Sequence, residues 1–113
     1  MKTFKIALAT AATLSLFSLA PAHAAIDADA AQALAKKNDC FKCHAIDKTK
    51  KGPAFKKTAA KYKGKNDGQE KIIKNLTTGP KVKLEDGSEE DHKIIDTKDM
   101  AQIKNLADWI LAQ

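Results

Sequence analysis

The chain has no arginine; all twenty of its basic residues are lysine. Aromatic residues are also scarce, with one tryptophan and one tyrosine. Proteins that read nucleic acids rely on arginine forks and stacked aromatic platforms, so a formal net charge of +6 does not point to that class here. There are two cysteines, Cys40 and Cys43, and no second pair to complete a zinc shell. No apolar strand precedes them, which removes the βαβ setting of a thioredoxin-like dithiol. A long hydrophobic run is missing too. The apolar stretch from Ile6 to Leu19 falls short of the roughly 20 residues that a transmembrane helix needs, and no stop-transfer pattern follows it.

That stretch reads instead as an export signal. Lys2 and Lys5 form a positive start, Ile6 to Leu19 the apolar middle, and Ala22-His23-Ala24 a small-x-small cleavage site. Residues 1–24 are therefore expected to be removed on export to the periplasm, leaving 25–113 as a single domain of about 89 residues. A domain of that size has a marginal core and is expected to carry a staple.

Cys40-Phe41-Lys42-Cys43-His44 supplies one. Two cysteines three positions apart with a histidine directly behind them form the pattern for covalent c-type haem attachment. Each thiol forms a thioether with one vinyl group, and His44 is brought beneath the iron as the proximal axial ligand. Both thiols are then consumed, and no disulfide is expected.

The rest of the chain reads mainly as helices. The first is expected from Asp27 or Asp29 to Lys37, with either aspartate as its cap and Asn38 as its stop. Gly52-Pro53 forms a rigid turn whose carbonyl is placed to accept from the second nitrogen of His44, although an ordinary turn reads the same way. Ala54 to Tyr62 and Gln69 to Leu76 read as short helices whose apolar residues would wall the haem. Residues 81–95 fit a short hairpin around Asp86-Gly87 or an irregular loop. Thr97 is expected to cap a last helix reaching about Ala112, with Met100, Ile103, Leu106, Ala107 and Ile110 on its apolar face.

With these residues in place, the whole segment 25–113 resembles the class I cytochromes c, small single-haem electron carriers. The resemblance implies an all-α cytochrome c fold in which the first and last helices cross around one covalently attached haem c. The expected haem-binding set is Cys40, Cys43, Pro53, Phe55, Tyr62 and Trp109, with His44 on the iron. The second axial ligand departs from the family, whose members usually supply a methionine from a loop ahead of the last helix. Once Met1 leaves with the signal, Met100 is the sole methionine, and it falls inside the last helix as an apparent core residue. His92 lies where the family's loop ligand belongs. We therefore expect His44/His92 ligation, with Met100 as the alternative and an open site or Lys93 behind it. Histidine in place of methionine lowers the potential, and Glu89, Glu90 and Asp91 push it the same way.

These residues describe a one-electron carrier. A second class is a haem-based sensor whose distal ligand gives way to a small gas. A peroxidase is poorly supplied, since the processed chain has two histidines and no arginine for acid–base chemistry, and no enzyme activity is expected. Charge is segregated: thirteen lysines face four carboxylates between Lys36 and Lys74, whereas Glu85 to Asp99 carries seven carboxylates and two lysines. Removing the signal lowers the net charge to about +4, and two haem propionates would lower it further. The resemblance places Lys42, Lys48, Lys50, Lys51, Lys56 and Lys57 around an exposed haem edge. There they would steer acidic redox partners to a monomeric carrier, or simply be a solvated surface.

Overall fold

The computed structural model describes residues 25–113. The expected export signal, with Met1 and His23, lies outside the described residues. Five helices and one small hairpin follow in order: α1 (Ala28–Lys37), α2 (Cys40–Cys43), α3 (Phe55–Tyr62), α4 (Gly68–Thr78), β1 (Lys81–Lys83), β2 (Glu89–Asp91) and α5 (Met100–Leu111).

Of the two candidate caps for α1, Asp27 is the one used. Its carboxylate accepts from the Ala30 amide at 2.9 Å, while Asp29 sits in the first turn and Lys36 and Lys37 in the last, both favourable to the helix dipole. Ala31, Leu34 and Ala35 form the buried stripe, which packs against α5 as expected for first and last helices that cross. A side-chain pair ties the crossing together: Asn105 Oδ1 accepts from the Asp27 amide, and its Nδ2 donates to the Asp27 carbonyl, both at 2.9 Å.

Helix α1 stops at Asn38, and Asp39 takes the left-handed conformation at φ 57°. Aspartate tolerates this region better than most residues, and the reversal sends the chain straight into the single turn of α2. α3 and α4 also pack on α5, so the last helix is the spine of the molecule. Its buried residues are Ile103, Leu106, Ala107, Trp109 and Ile110, a face that joins α1, α3 and α4 in one hydrophobic core. Gln69 adds a polar tie, donating to Asp108 Oδ1 at 2.6 Å.

The uncertain stretch resolves as a hairpin. β1 and β2 pair antiparallel with Val82 opposite Glu90, and Gly87 supplies the positive φ of the turn at 85°. Gly79, at φ 58°, ends α4 in the left-handed conformation that glycine adopts without strain.

Two sequence expectations change at the start of α5. Asp99, not Thr97, is the cap: its carboxylate accepts from the Ala101 amide at 2.9 Å, while Thr97 Oγ1 accepts from the Asp99 amide at 3.1 Å. The helix thus begins at Met100, and Met100 is 47 % exposed rather than part of the core. Its spacing to Ile103 and Ala107 is helical, but at the first position of α5 that stripe still faces solvent.

Candidate functional site

A cavity of about 670 Å³ opens between α2, α3, α4, α5, the hairpin and the loop after it. Its walls are largely apolar, built from Phe55, Ile72, Leu76, Leu84, Leu106 and Ile110. That size and character suit a large planar cofactor.

Cys40, Cys43 and His44 all border this cavity, because the single turn of α2 presents both thiols and the extended backbone at His44 carries its ring onward. The cysteines are unpaired and half-buried. Burial pushes the Cys40 thiol above its ordinary value, with Lys93 acting in the opposite direction. Reactive dithiol cysteines have depressed pKa values, the opposite of the direction at Cys40. Among the described residues, no cluster of three or more histidine, cysteine or acidic side chains is arranged to hold a metal ion.

His44 is held on three sides. Its Nδ1 lies 2.7 Å from the carbonyl oxygen of Pro53, the partner expected from the Gly52-Pro53 turn. Phe55 stacks on the ring at 5.1 Å between centroids and 18° between planes. Gly52 lies beneath it so closely that a Cβ there would be 2.7 Å from Cε1. With Nδ1 engaged as the donor to Pro53, Nε2 is the nitrogen left for a metal. Burial lowers the His44 pKa, favouring the neutral ring that a metal requires, although the Pro53 carbonyl opposes the shift.

His92 also borders the cavity, and its ring lies 6.2 Å from that of His44, centroid to centroid, at a tilt of 48°. Metal–imidazole bonds of about 2 Å, together with the radius of each ring, set two imidazoles sharing one metal about 6 Å apart. The centroid spacing of the two rings matches that separation. Met100 does not border the cavity.

Of the other residues expected at the haem, Pro53, Phe55 and Tyr62 line the cavity. Trp109 does not. It is buried behind Phe55, edge-on at 5.6 Å, and supports that wall rather than forming it. Two features went unread in the sequence. The first is the close approach of Gly52 to His44, signalled only by the Gly-Pro dipeptide. The second is Asn38, read as a helix stop, which also reaches the far loop at Asp96, 58 positions along the chain. No local pattern signals that pairing.

The fold and the cavity define a class of small helical proteins built around one haem, and the chain belongs to the cytochrome c family, whose model matches residues 28–113. It is similar to cytochrome c-552 of Nitrosomonas europaea, at 36% identity over 104 residues, 82% of this chain and 84% of that protein. Among solved structures it is similar to the class 1 cytochrome MtoD of Sideroxydans lithotrophicus ES-1, with 54% identity, a TM-score of 0.75, and coverage of 78% of this chain and 97% of that one. The structure of Nitrosomonas europaea cytochrome c552 aligns at 34% identity and a TM-score of 0.55, covering 71% of this chain and 95% of the other. The chain is thus a monohaem c-type cytochrome, an electron carrier with one covalently attached haem c.

Proposed function

We propose that the protein is an exported, periplasmic one-electron carrier in which Cys40 and Cys43 hold the haem through thioethers and His44 and His92 fill the two axial positions. The observation that carries this reading is the pair of imidazoles, 6.2 Å apart across the cavity. When bound, the haem supplies the Fe(III)/Fe(II) couple. The chain's part is to hold both ligands in place, exclude water and tune the potential. Pro53 fixes the tautomer and orientation of His44, and the apolar walls from Phe55 to Ile110 keep the site dry.

Met100, exposed at the head of α5, is poorly placed as a ligand, which favours His92. Histidine instead of methionine lowers the potential, and Glu90 and Asp91 at the cavity edge favour the ferric state. Lys42, Lys57, Lys61 and Lys93 also border the cavity. Such lysines suit brief, salt-sensitive docking of acidic redox partners by a monomeric carrier without catalytic activity of its own. Residues 1–24 act as the cleaved export signal and 25–113 as the working domain. Among the described residues, no helix is long and apolar enough to cross a membrane.

Spectroelectrochemical titration of the holoprotein, with and without carbon monoxide, tests this reading. A single one-electron wave is expected, with a ferrous spectrum that carbon monoxide changes only slowly at neutral pH. Ready formation of a carbon monoxide complex would replace the carrier reading with that of a gas-binding protein.

A further inference from the structure

Asn38 is the only buried polar side chain among the described residues, 2 % exposed, and it precedes the first haem-attachment cysteine by two positions. Both of its N–H donors and its carbonyl oxygen are engaged. Nδ2 donates to the Leu34 carbonyl and to Asp96 Oδ1, both at 3.0 Å, and Oδ1 accepts from the Asp96 amide, also at 3.0 Å. The first of these bonds belongs to the end of α1. The other two reach the segment that carries His92.

That segment, residues 92–96, connects the hairpin to the approach to α5 and is fastened at both ends. The His92 amide donates to the Pro80 carbonyl and the Ile95 amide to the Leu76 carbonyl, both at 2.8 Å. Side chains then bind it to the attachment segment: Lys37 lies 3.3 Å from the Asp96 carboxylate and Lys93 3.5 Å from Asp39. These two ion pairs are well exposed and contribute little. The Asn38–Asp96 pair is different, because its amide is buried. Breaking it would strand buried polar groups, which costs more than a solvated contact does.

We propose that Asn38 is the positioning residue of the distal ligand: through its reciprocal hydrogen bonds with Asp96 it locks the His92 segment against the segment that holds the haem, and so keeps the sixth coordination position closed. The proposal rests on the reading of His92 as that ligand. Asn38 itself touches neither the iron nor His92. It acts on the opening of the segment that an external ligand needs before it can displace His92. Nothing in the local sequence marks this role, since asparagine at the end of a helix is ordinary. The role follows from where the buried amide points.

The test is the rate at which carbon monoxide binds the ferrous holoprotein at neutral pH, well below the unfolding temperature. Asn38→Ala, which loses both hydrogen bonds that hold the segment shut, is expected to speed binding about tenfold, and Asp96→Ala, which loses only the one to its carboxylate, by less. In the conservative variant Asp96→Asn, the side-chain oxygen of residue 96 can still accept from Asn38 Nδ2 and its backbone amide can still donate to Asn38 Oδ1. Its rate should stay within about twofold of wild type. Asn105→Ala is the control. It removes another reciprocal pair, the solvent-exposed one that ties Asp27 to α5, and should lower stability without speeding carbon monoxide binding.

If Asn38→Ala only lowers the unfolding temperature and binds carbon monoxide no faster than Asn105→Ala does, the proposal is overturned and Asn38 is a helix terminator. The ferric spectrum of His92→Ala, recorded alongside, separates the two readings. A change to high spin there, with no effect from Asn38→Ala, removes the positioning role alone. An unchanged low-spin spectrum in His92→Ala removes both.

Discussion

Gly52 and His44 are in such close contact that the glycine's missing side chain is part of the ligand's support. A Cβ at position 52 would stand 2.7 Å from His44 Cε1, 3.0 Å from Nδ1 and 3.2 Å from Nε2. The ring would be caught between that methyl group and Phe55, which stacks on it at 5.1 Å. Gly52→Ala must therefore displace the imidazole or the turn beside it. We expect the holoprotein to lose about 1–3 kcal/mol in denaturant unfolding, the usual cost of overpacking. Unchanged stability, with an unchanged potential, would mean that the ring has room to spare.

Acid should weaken the link between Asn38 and the His92 segment. The hydrogen bond from Asn38 holds the Asp96 carboxyl below its ordinary value, with Lys37 assisting. A carboxylate with a lowered folded pKa takes up its proton in the unfolded chain first. Its stabilisation is therefore present above about pH 4 and lost as pH falls through the folded value. Asp96 is well exposed, so the effect is small. Asp96→Asn keeps an oxygen for Asn38 to donate to but removes the titration. Between about pH 5 and pH 3, its unfolding temperature should fall less than that of wild type. Parallel curves would show that Asp96 carries no pH-dependent stability.

The lysines at the cavity edge should govern encounters with charged reagents. Hexacyanoferrate, an anionic oxidant, should react with the ferrous holoprotein more slowly as salt rises, while a cationic cobalt complex should react faster. Replacing Lys42 and Lys57, both on the cavity rim, with glutamate should slow the anionic reagent about tenfold at low salt and flatten its salt dependence. Stopped-flow traces at two ionic strengths give the answer. A rate unchanged by the double substitution would leave these lysines as a solvated surface.

Much of this molecule was legible in the chain because the signals are local. Cys40, Cys43 and His44 follow one another on a single turn and the extended residue after it, so their spacing alone announces the cofactor. Asp27 and Asn38 bracket α1 with ordinary helix-end chemistry, and Gly52-Pro53 marks the turn that meets His44. What escaped depends on distance or on a boundary. Met100 has core spacing, but the Asp99 cap makes it the first helical residue, and it is left exposed. Trp109 is apolar and aromatic on the expected helix, yet Phe55 stands between it and the cavity. The union of Asn38 with Asp96 spans 58 positions and leaves no periodic trace.

The pairing of His44 with His92 is the centre of the account, and the ferric absorption spectra of His92→Ala and Met100→Ala holoproteins test it most directly. His92→Ala is expected to turn high-spin or to take up a new ligand. Met100→Ala should stay low-spin and lose less than about 1 kcal/mol of stability, because its side chain is half in solvent. A thioether-to-iron charge-transfer band in the wild-type protein, lost in Met100→Ala and kept in His92→Ala, would contradict it.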